Sequence, residues 1–190
     1  MTRFTLHTVD TAPEAAKAQL GQIEKNWKFI PNLHRILAES PVTLEAYDTL
    51  FGLVARSSFT PAEQQVAYLA INVFHECKYC TSGHSVLAKM AGVAPEAIAA
   101  LREGRAIADP RLQALRSFAE SVVRERGFVG DAAVDAFLAA GFTRAQVLEV
   151  VMIAATKTIS NYVNHITHTP LDGFMADTKW VAPRNRATAA

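Results

Sequence analysis

The chain has 190 residues, half of them hydrophobic and 19% charged, which is enough for one domain with a sizeable core. Its formal net charge is +1 with acids and bases interspersed, so nothing marks it as a binder of nucleic acid or of an anionic membrane. MTRFTLHTVD lacks an apolar h-region, and the longest apolar run, Val150 to Ala155, is far too short for a bilayer; a cytoplasmic protein without signal peptide or membrane span is expected.

Read in order, the chain predicts helices almost throughout. Asp10 and Thr11 can cap a helix that carries Pro13 in its first turn and runs to about Trp27. Ile30-Pro31-Asn32 is a break, followed by a short helix from Leu33 to Ala38. Ser40-Pro41 starts another, with Leu44, Tyr47, Leu50, Phe51 and Val54 at helical spacing. Thr60-Pro61 with Glu63 reads as a capping box, and Val66, Leu69, Ala70 and Val73 carry an apolar stripe straight into Cys77. Val86, Leu87 and Met90 extend a helix to Gly92; further helices are expected over Pro95 to Arg102, from Asp109-Pro110 to about Gly127, and from Asp131 to Ala140. Thr143 caps the longest candidate, running to about Ile166; its VLEVVMIAA is apolar on nearly every side and predicts a central buried helix. Met90 and the other methionines read as core filling, and the charges from Arg102 to Arg126 as a solvated face. Residues 1–179 therefore form a single all-helical domain, with 180–190 a frayed tail from Trp180.

Chemistry concentrates in HECKYCTSGHSVLAKMAG, residues 75–92. Cys77 and Cys80, the only cysteines, are three apart, and His84 follows four later, so all three share one helix face. A cysteine near a helix N-terminus has its thiolate favoured by the dipole and the free backbone N–H groups. A helix restarting at residues 76–78 would help Cys77 and Cys80, and His84 could exchange a proton with the Cys80 sulfur. An oxidised first cysteine can then be resolved by the second as a disulfide.

C-x-Y-C-x-x-x-H, preceded by TPAEQQVAYL and followed by an alanine-rich helix ending in Ala-Gly, resembles the alkyl hydroperoxidase D and carboxymuconolactone decarboxylase-like superfamily, in its peroxidase-related branch. IPNLHRILAESPVTLEAY upstream and NYVNHITHTPLD downstream extend the resemblance over most of residues 28–175. It implies a compact all-α alkyl hydroperoxidase D-like fold assembled as a homotrimer or homohexamer. It also implies peroxide reduction by the cysteine pair, with His84 in a proton relay and Cys80 as the attacking sulfur. No bound cofactor or metal is implied; a dithiol or thioredoxin-like donor must restore the pair.

One departure stands out. The family relay includes a glutamate twelve residues before the first cysteine, and here that position is Gln65, which cannot take a proton. Glu63 lies about 200° around the helix from it and is explained by capping. Glu76, His165 or Asn164 could complete the relay instead; Tyr79 reads as a packing residue. Two other function classes stay open: a non-redox carboxymuconolactone decarboxylase-like enzyme, and a zinc-binding or assembly module using Cys77, Cys80, His84 and His75. The cysteine pair argues against the first, since the superfamily's lactone decarboxylases do not rely on one. The absence of a second ligand pair at finger spacing argues against the second.

Overall fold

A computed structural model describes residues 3–183, and within them every regular element is helical. The order is α1 (Glu14–Trp27), α2 (Asn32–Leu37), α3 (Pro41–Ala55), α4 (Pro61–Phe74), α5 (Lys78–Met90), α6 (Pro95–Arg102), α7 (Pro110–Arg124), α8 (Asp131–Ala139) and α9 (Arg144–Thr167), then a 3-10 turn, Gly173–Thr178. The boundaries follow local chemistry. Both capping boxes form: Thr60 with Glu63 starts α4, and Thr143 with Gln146 starts α9. Each satisfies two otherwise orphaned backbone N–H groups, worth about 1 kcal/mol per cap. Glu63 is fully used there, with Arg111 Nε 3.0 Å from its second oxygen.

Helix α4 is the axis of the fold and packs against α5, α7 and α9. Its Val66, Ala67, Leu69, Ala70 and Ile71 are buried in a core shared with α6, α7 and the first half of α9. A second core joins α1, α2 and α3 to Cys77, Tyr79, Cys80 and Met175. The cysteines thus sit where the N-terminal helices close over the α4–α5 corner.

That corner corrects the expectation of a stripe running unbroken into Cys77. Helix α4 ends at Phe74, and Glu76 takes a left-handed conformation (φ 57). The Cys77 N–H donates to Asn72 O and the Glu76 N–H to Val73 O, the paired bonds of a Schellman stop. Glycine is the usual residue there, and a non-glycine residue costs about 1–2 kcal/mol in this conformation. Cys77 follows immediately as the N-cap of α5, its sulfur accepting from the Cys80 N–H at 3.4 Å.

Other expectations are corrected by packing. Helix α9 is buried on one side only: Leu148, Val151, Tyr162 and Ile166 are exposed. Met90 is 79% exposed, and among the described residues only Met175 is a buried methionine. Arg102 is not on a solvated face; it donates to Ser85 Oγ and to the Thr178 and Lys179 carbonyls, and Arg116 is buried against Glu120. The stretch read as a tail is packed at its start: Trp180 is 2% exposed and donates to Arg102 O, and Ala182 is buried. Residues 184–190 of that tail lie outside the described residues.

Candidate active site

Two helices supply the site, each by its repeat. Helix α5 presents Cys80 and, one turn on, His84. Helix α9 presents Lys157, Ser160 and Asn164, which recur at three- and four-residue spacing on its inner face and are all buried. Asn164 Nδ2 donates to the Cys80 sulfur at 3.1 Å. His84 Nδ1 is 2.8 Å from Gln65 Oε1, and its Nε2 is 3.0 Å from Lys157 Nζ. An ammonium has no lone pair to offer, so Nε2 accepts from Lys157 and Nδ1–H donates to the glutamine oxygen. Hydrogen bonding thereby fixes the imidazole as the neutral Nδ1–H tautomer. Burial first and the Lys157 charge second hold its pKa well below the ordinary histidine value.

Gln65 therefore does face His84, as the helix register predicts, and orients the ring without accepting its proton. The expected direct exchange between His84 and the Cys80 sulfur is not what the hydrogen bonds show: both ring nitrogens are engaged elsewhere. The residue beside His84 that the sequence reading missed is Lys157. It is 1% exposed, its ammonium lies 5.2 Å from the centroid of the Tyr68 ring, and the His84 ring lies 4.6 Å from the same ring. No carboxylate among the described residues forms an ion pair with it. A buried cation needs a counter-charge, and a Cys80 thiolate is the group placed to provide it. A lone lysine amid VVMIAATKTIS was the available signal, since lysine is almost never fully buried unless paired.

The two thiols are free and chemically unequal. Burial raises the Cys80 pKa, but hydrogen bonding from Cys77, the Lys157 charge and hydrogen bonds from Ser160 and Asn164 outweigh it and lower the value to about 5. The Cys77 pKa is raised, by its hydrogen bond to Cys80, by burial and by the charge on Cys80. Cys77 is the proton donor of the pair and Cys80 the thiolate.

Cys80, His84 and Lys157 face one cleft whose other walls include Trp27, His34, Tyr47, Phe51, Phe174 and Met175. It holds ≈ 480 Å³ of empty space, counted out to the open solvent at its mouth. Cys77 instead faces a separate cleft of ≈ 920 Å³ on the same measure, with Glu76, Lys78, Asn164, His165 and His168. His165 is exposed and stands beside Cys77, not beside His84, so the place proposed for it in the relay is held by Lys157. Tyr79 is a buried tether: its hydroxyl accepts from the Leu33 N–H and donates to Asp172, which also accepts from the Asn32 N–H. This ties the start of α2 and the approach to the 3-10 turn to the cysteine helix. Burial, then the neighbouring Asp172, pushes the Tyr79 pKa well up, in keeping with a packing role. The zinc set suggested by the sequence does not gather: no group of three or more His, Cys, Asp or Glu side chains among the described residues is placed to hold a metal.

Residues 41–121 match the carboxymuconolactone decarboxylase family model. No curated protein sequence matches the chain. Among solved structures, an uncharacterized peroxidase-related protein with an alkylhydroperoxidase AhpD core, from Ralstonia eutropha JMP134, superposes with TM-score 0.82 at 19% identity over 92% of this chain and 94% of its own. A second uncharacterized peroxidase-related protein, from Silicibacter sp. TM1040, gives 0.78 at 16% identity over 92% and 93%. The debrominase Bmp8 in complex with 2,3,4-tribromopyrrole gives 0.74 at 18% identity over 94% and 97%. The family match spans α3 through α6 and most of α7, and the structural likeness spans nearly the whole chain. By sequence, residues 41–121 are similar to the carboxymuconolactone decarboxylase family, and by fold the chain is alkyl hydroperoxidase D-like.

Proposed function

We propose that the protein is a two-cysteine thiol peroxidase, with Cys80 the attacking sulfur, Cys77 the resolving one, and peroxide entering by the aromatic-walled cleft. One observation carries this reading: the Cys80 sulfur, hydrogen-bonded by Asn164, shares a cleft with a buried ammonium and a histidine. The Cys80 thiolate attacks one peroxide oxygen, the O–O bond breaks, and the departing alkoxide or hydroxide takes a proton from the Lys157–His84 pair. The Cys80 sulfenic acid then condenses with the Cys77 thiol, releasing water and leaving a Cys77–Cys80 disulfide. An external dithiol, such as a thioredoxin-like donor, attacks that disulfide, is itself oxidised, and returns two thiols. The cleft at Cys77 gives this donor a route separate from the peroxide's. A reducing cytoplasm would supply it. The decarboxylase alternative leaves the thiolate without a task.

The test is a peroxide titration of the reduced protein. Two thiols should disappear per equivalent of peroxide, with mass spectrometry placing one disulfide between Cys77 and Cys80. Thiols that survive excess peroxide would defeat the proposal. A second reading draws on the aromatic walls around Cys80 and on the debrominase relative: the same dithiol could reduce a carbon–bromine bond, yielding the debrominated ring, bromide and the disulfide. Bromide release from a bromopyrrole with stoichiometric thiol loss, and none with peroxide, would select it.

We also propose a homo-oligomer, the trimer or hexamer that the resemblance implies. Leu148, Val151, Tyr162 and Ile166 recur at three, eleven and four residues and are exposed along α9, with exposed Ala155 between them. An exposed apolar stripe of this length is a self-association surface. The substitution Val151→Glu should shift the mass seen by light scattering from oligomer to monomer while helicity is retained. A wild-type protein that already runs as a monomer would end this proposal.

A further inference from the structure

The cleft holds one buried polar side chain that neither the cysteine chemistry nor the packing employs. His34, in α2, is 6% exposed and its Nδ1 has no hydrogen-bond partner. Its ring packs on Tyr47, centroids 5.5 Å apart, and lines the same cleft as Cys80 and Lys157. Leaving a buried nitrogen unpaired is destabilising, and it persists only where something compensates. The other buried histidine facing this cleft, His84, has both nitrogens engaged. Burial lowers the His34 pKa to about 4, against a smaller opposing pull from Asp48. At neutral pH the ring is therefore uncharged and carries one donor and one acceptor. Around it, Trp27, Tyr47, Phe51 and Phe174 offer ring faces and no charge.

We infer that His34 is a second polar anchor of the Cys80 cleft, and that the cleft takes a small ring-bodied molecule bearing one neutral hydrogen-bonding group. Cys80 and Lys157 meet the reacting end of such a molecule, the aromatic walls hold its body, and His34 receives its distal hydroxyl or N–H. The walls of the cleft are mostly ring faces with a few polar groups, a lining that suits a flat ring. A long alkyl hydroperoxide would leave the His34 nitrogen unpaired and forfeit that contact. Discrimination by such a contact exceeds discrimination by shape, because the analogue lacking the polar group strands a buried partner.

The inference rests on the reading of this cleft as the substrate site, but it can be tested without any peroxide. Phenol and toluene have the same shape and differ by a hydroxyl in place of a methyl. In calorimetric titrations of the reduced full-length protein, phenol should bind about tenfold tighter than toluene, although toluene is the more hydrophobic. In His34→Phe the preference should vanish or invert, and in His34→Gln, which keeps a hydrogen-bonding group, most of it should return. Should His34→Phe fail to fold, His34→Ala gives the same reading. Equal affinities in the wild-type protein, no binding of either probe, or a preference that survives intact in a folded His34→Phe or His34→Ala protein would each overturn the inference. The peroxidase proposal fails separately: thiols inert to peroxide in a protein that still prefers phenol would refute that proposal and leave the role of His34 standing.

Discussion

Cys80→Ser should consume no peroxide, whereas Cys77→Ser should consume one equivalent and stop with a sulfenic acid on Cys80. The asymmetry follows from the two thiols' surroundings. Cys80 is a thiolate at neutral pH, its pKa lowered to about 5. Cys77 is held as the thiol by its hydrogen bond to Cys80 and by burial. Only the thiolate is a competent nucleophile, and Cys80→Ser leaves a buried thiol outside the cleft that holds Lys157 and His84, so its peroxide reaction should fall below detection. The Cys77→Ser variant is structurally mild. Residue 77 is the N-cap of α5, accepting from the residue 80 N–H, and serine is a preferred N-cap. Stopped-flow peroxide consumption and trapping of the sulfenic acid, located by mass spectrometry, measure both outcomes. Comparable rates in the two variants would show that the sulfurs are interchangeable and that the asymmetry has no kinetic consequence.

Lys157→Met should slow the peroxide reaction about 10²-fold at neutral pH while keeping its thermal stability near pH 5, where the Cys80 thiol is protonated. The ammonium is the cation among the groups that favour the Cys80 thiolate, and burial is the largest opposing influence. Without it the thiol pKa rises, the thiolate fraction falls, and the departing oxygen loses a proton donor; general acid catalysis alone is worth about 10²–10⁴-fold. Methionine matches the lysine stem in volume, and once the Cys80 thiol is protonated no buried charge is left uncompensated. A merely structural lysine would show the opposite pattern, with stability lost and rate kept.

The pH dependence supplies a second readout of the same substitution. Because the folded Cys80 pKa lies below that of an unfolded thiol, the stability it contributes is full above the unfolded value and is lost as pH falls toward about 5. Cys77 acts in the other direction: its raised folded pKa favours unfolding once pH exceeds the unfolded thiol value. The reduced wild-type protein should thus gain stability from about pH 5 toward the ordinary thiol range, and Lys157→Met should flatten that rise. Ultraviolet thiolate absorbance and denaturant melts across pH follow both effects. An unchanged titration in Lys157→Met would remove the lysine from the activation mechanism.

The sequence by itself determined the helices and the register of the reacting face. Cap chemistry is local, so Thr60-x-x-Glu63 and Thr143-x-x-Gln146 began their helices where they read, and Pro41, Pro61, Pro95 and Pro110 each opened one. The 3.6-residue repeat likewise put Cys80 and His84 on one face and turned Gln65 toward His84 while Glu63 stayed in its cap. A helix restart at residues 76–78 was legible as an option, but the left-handed turn at Glu76 behind it was not, because it is held by bonds to Asn72 and Val73 at a residue type that gives no warning. The partners across the fold were not legible either, apart from Asn164, whose proximity to the cysteines was raised as one option among several. Lys157 is 73 residues from His84 and Asn164 is 84 from Cys80, and no periodicity reports distances of that kind. Only the packing of α9 against the α4–α5 corner decided which polar residue of an apolar helix meets the sulfur. The activation of Cys80 depends on that packing, because a buried charge acts over a few ångströms of low-dielectric interior and the chain must fold before those ångströms exist.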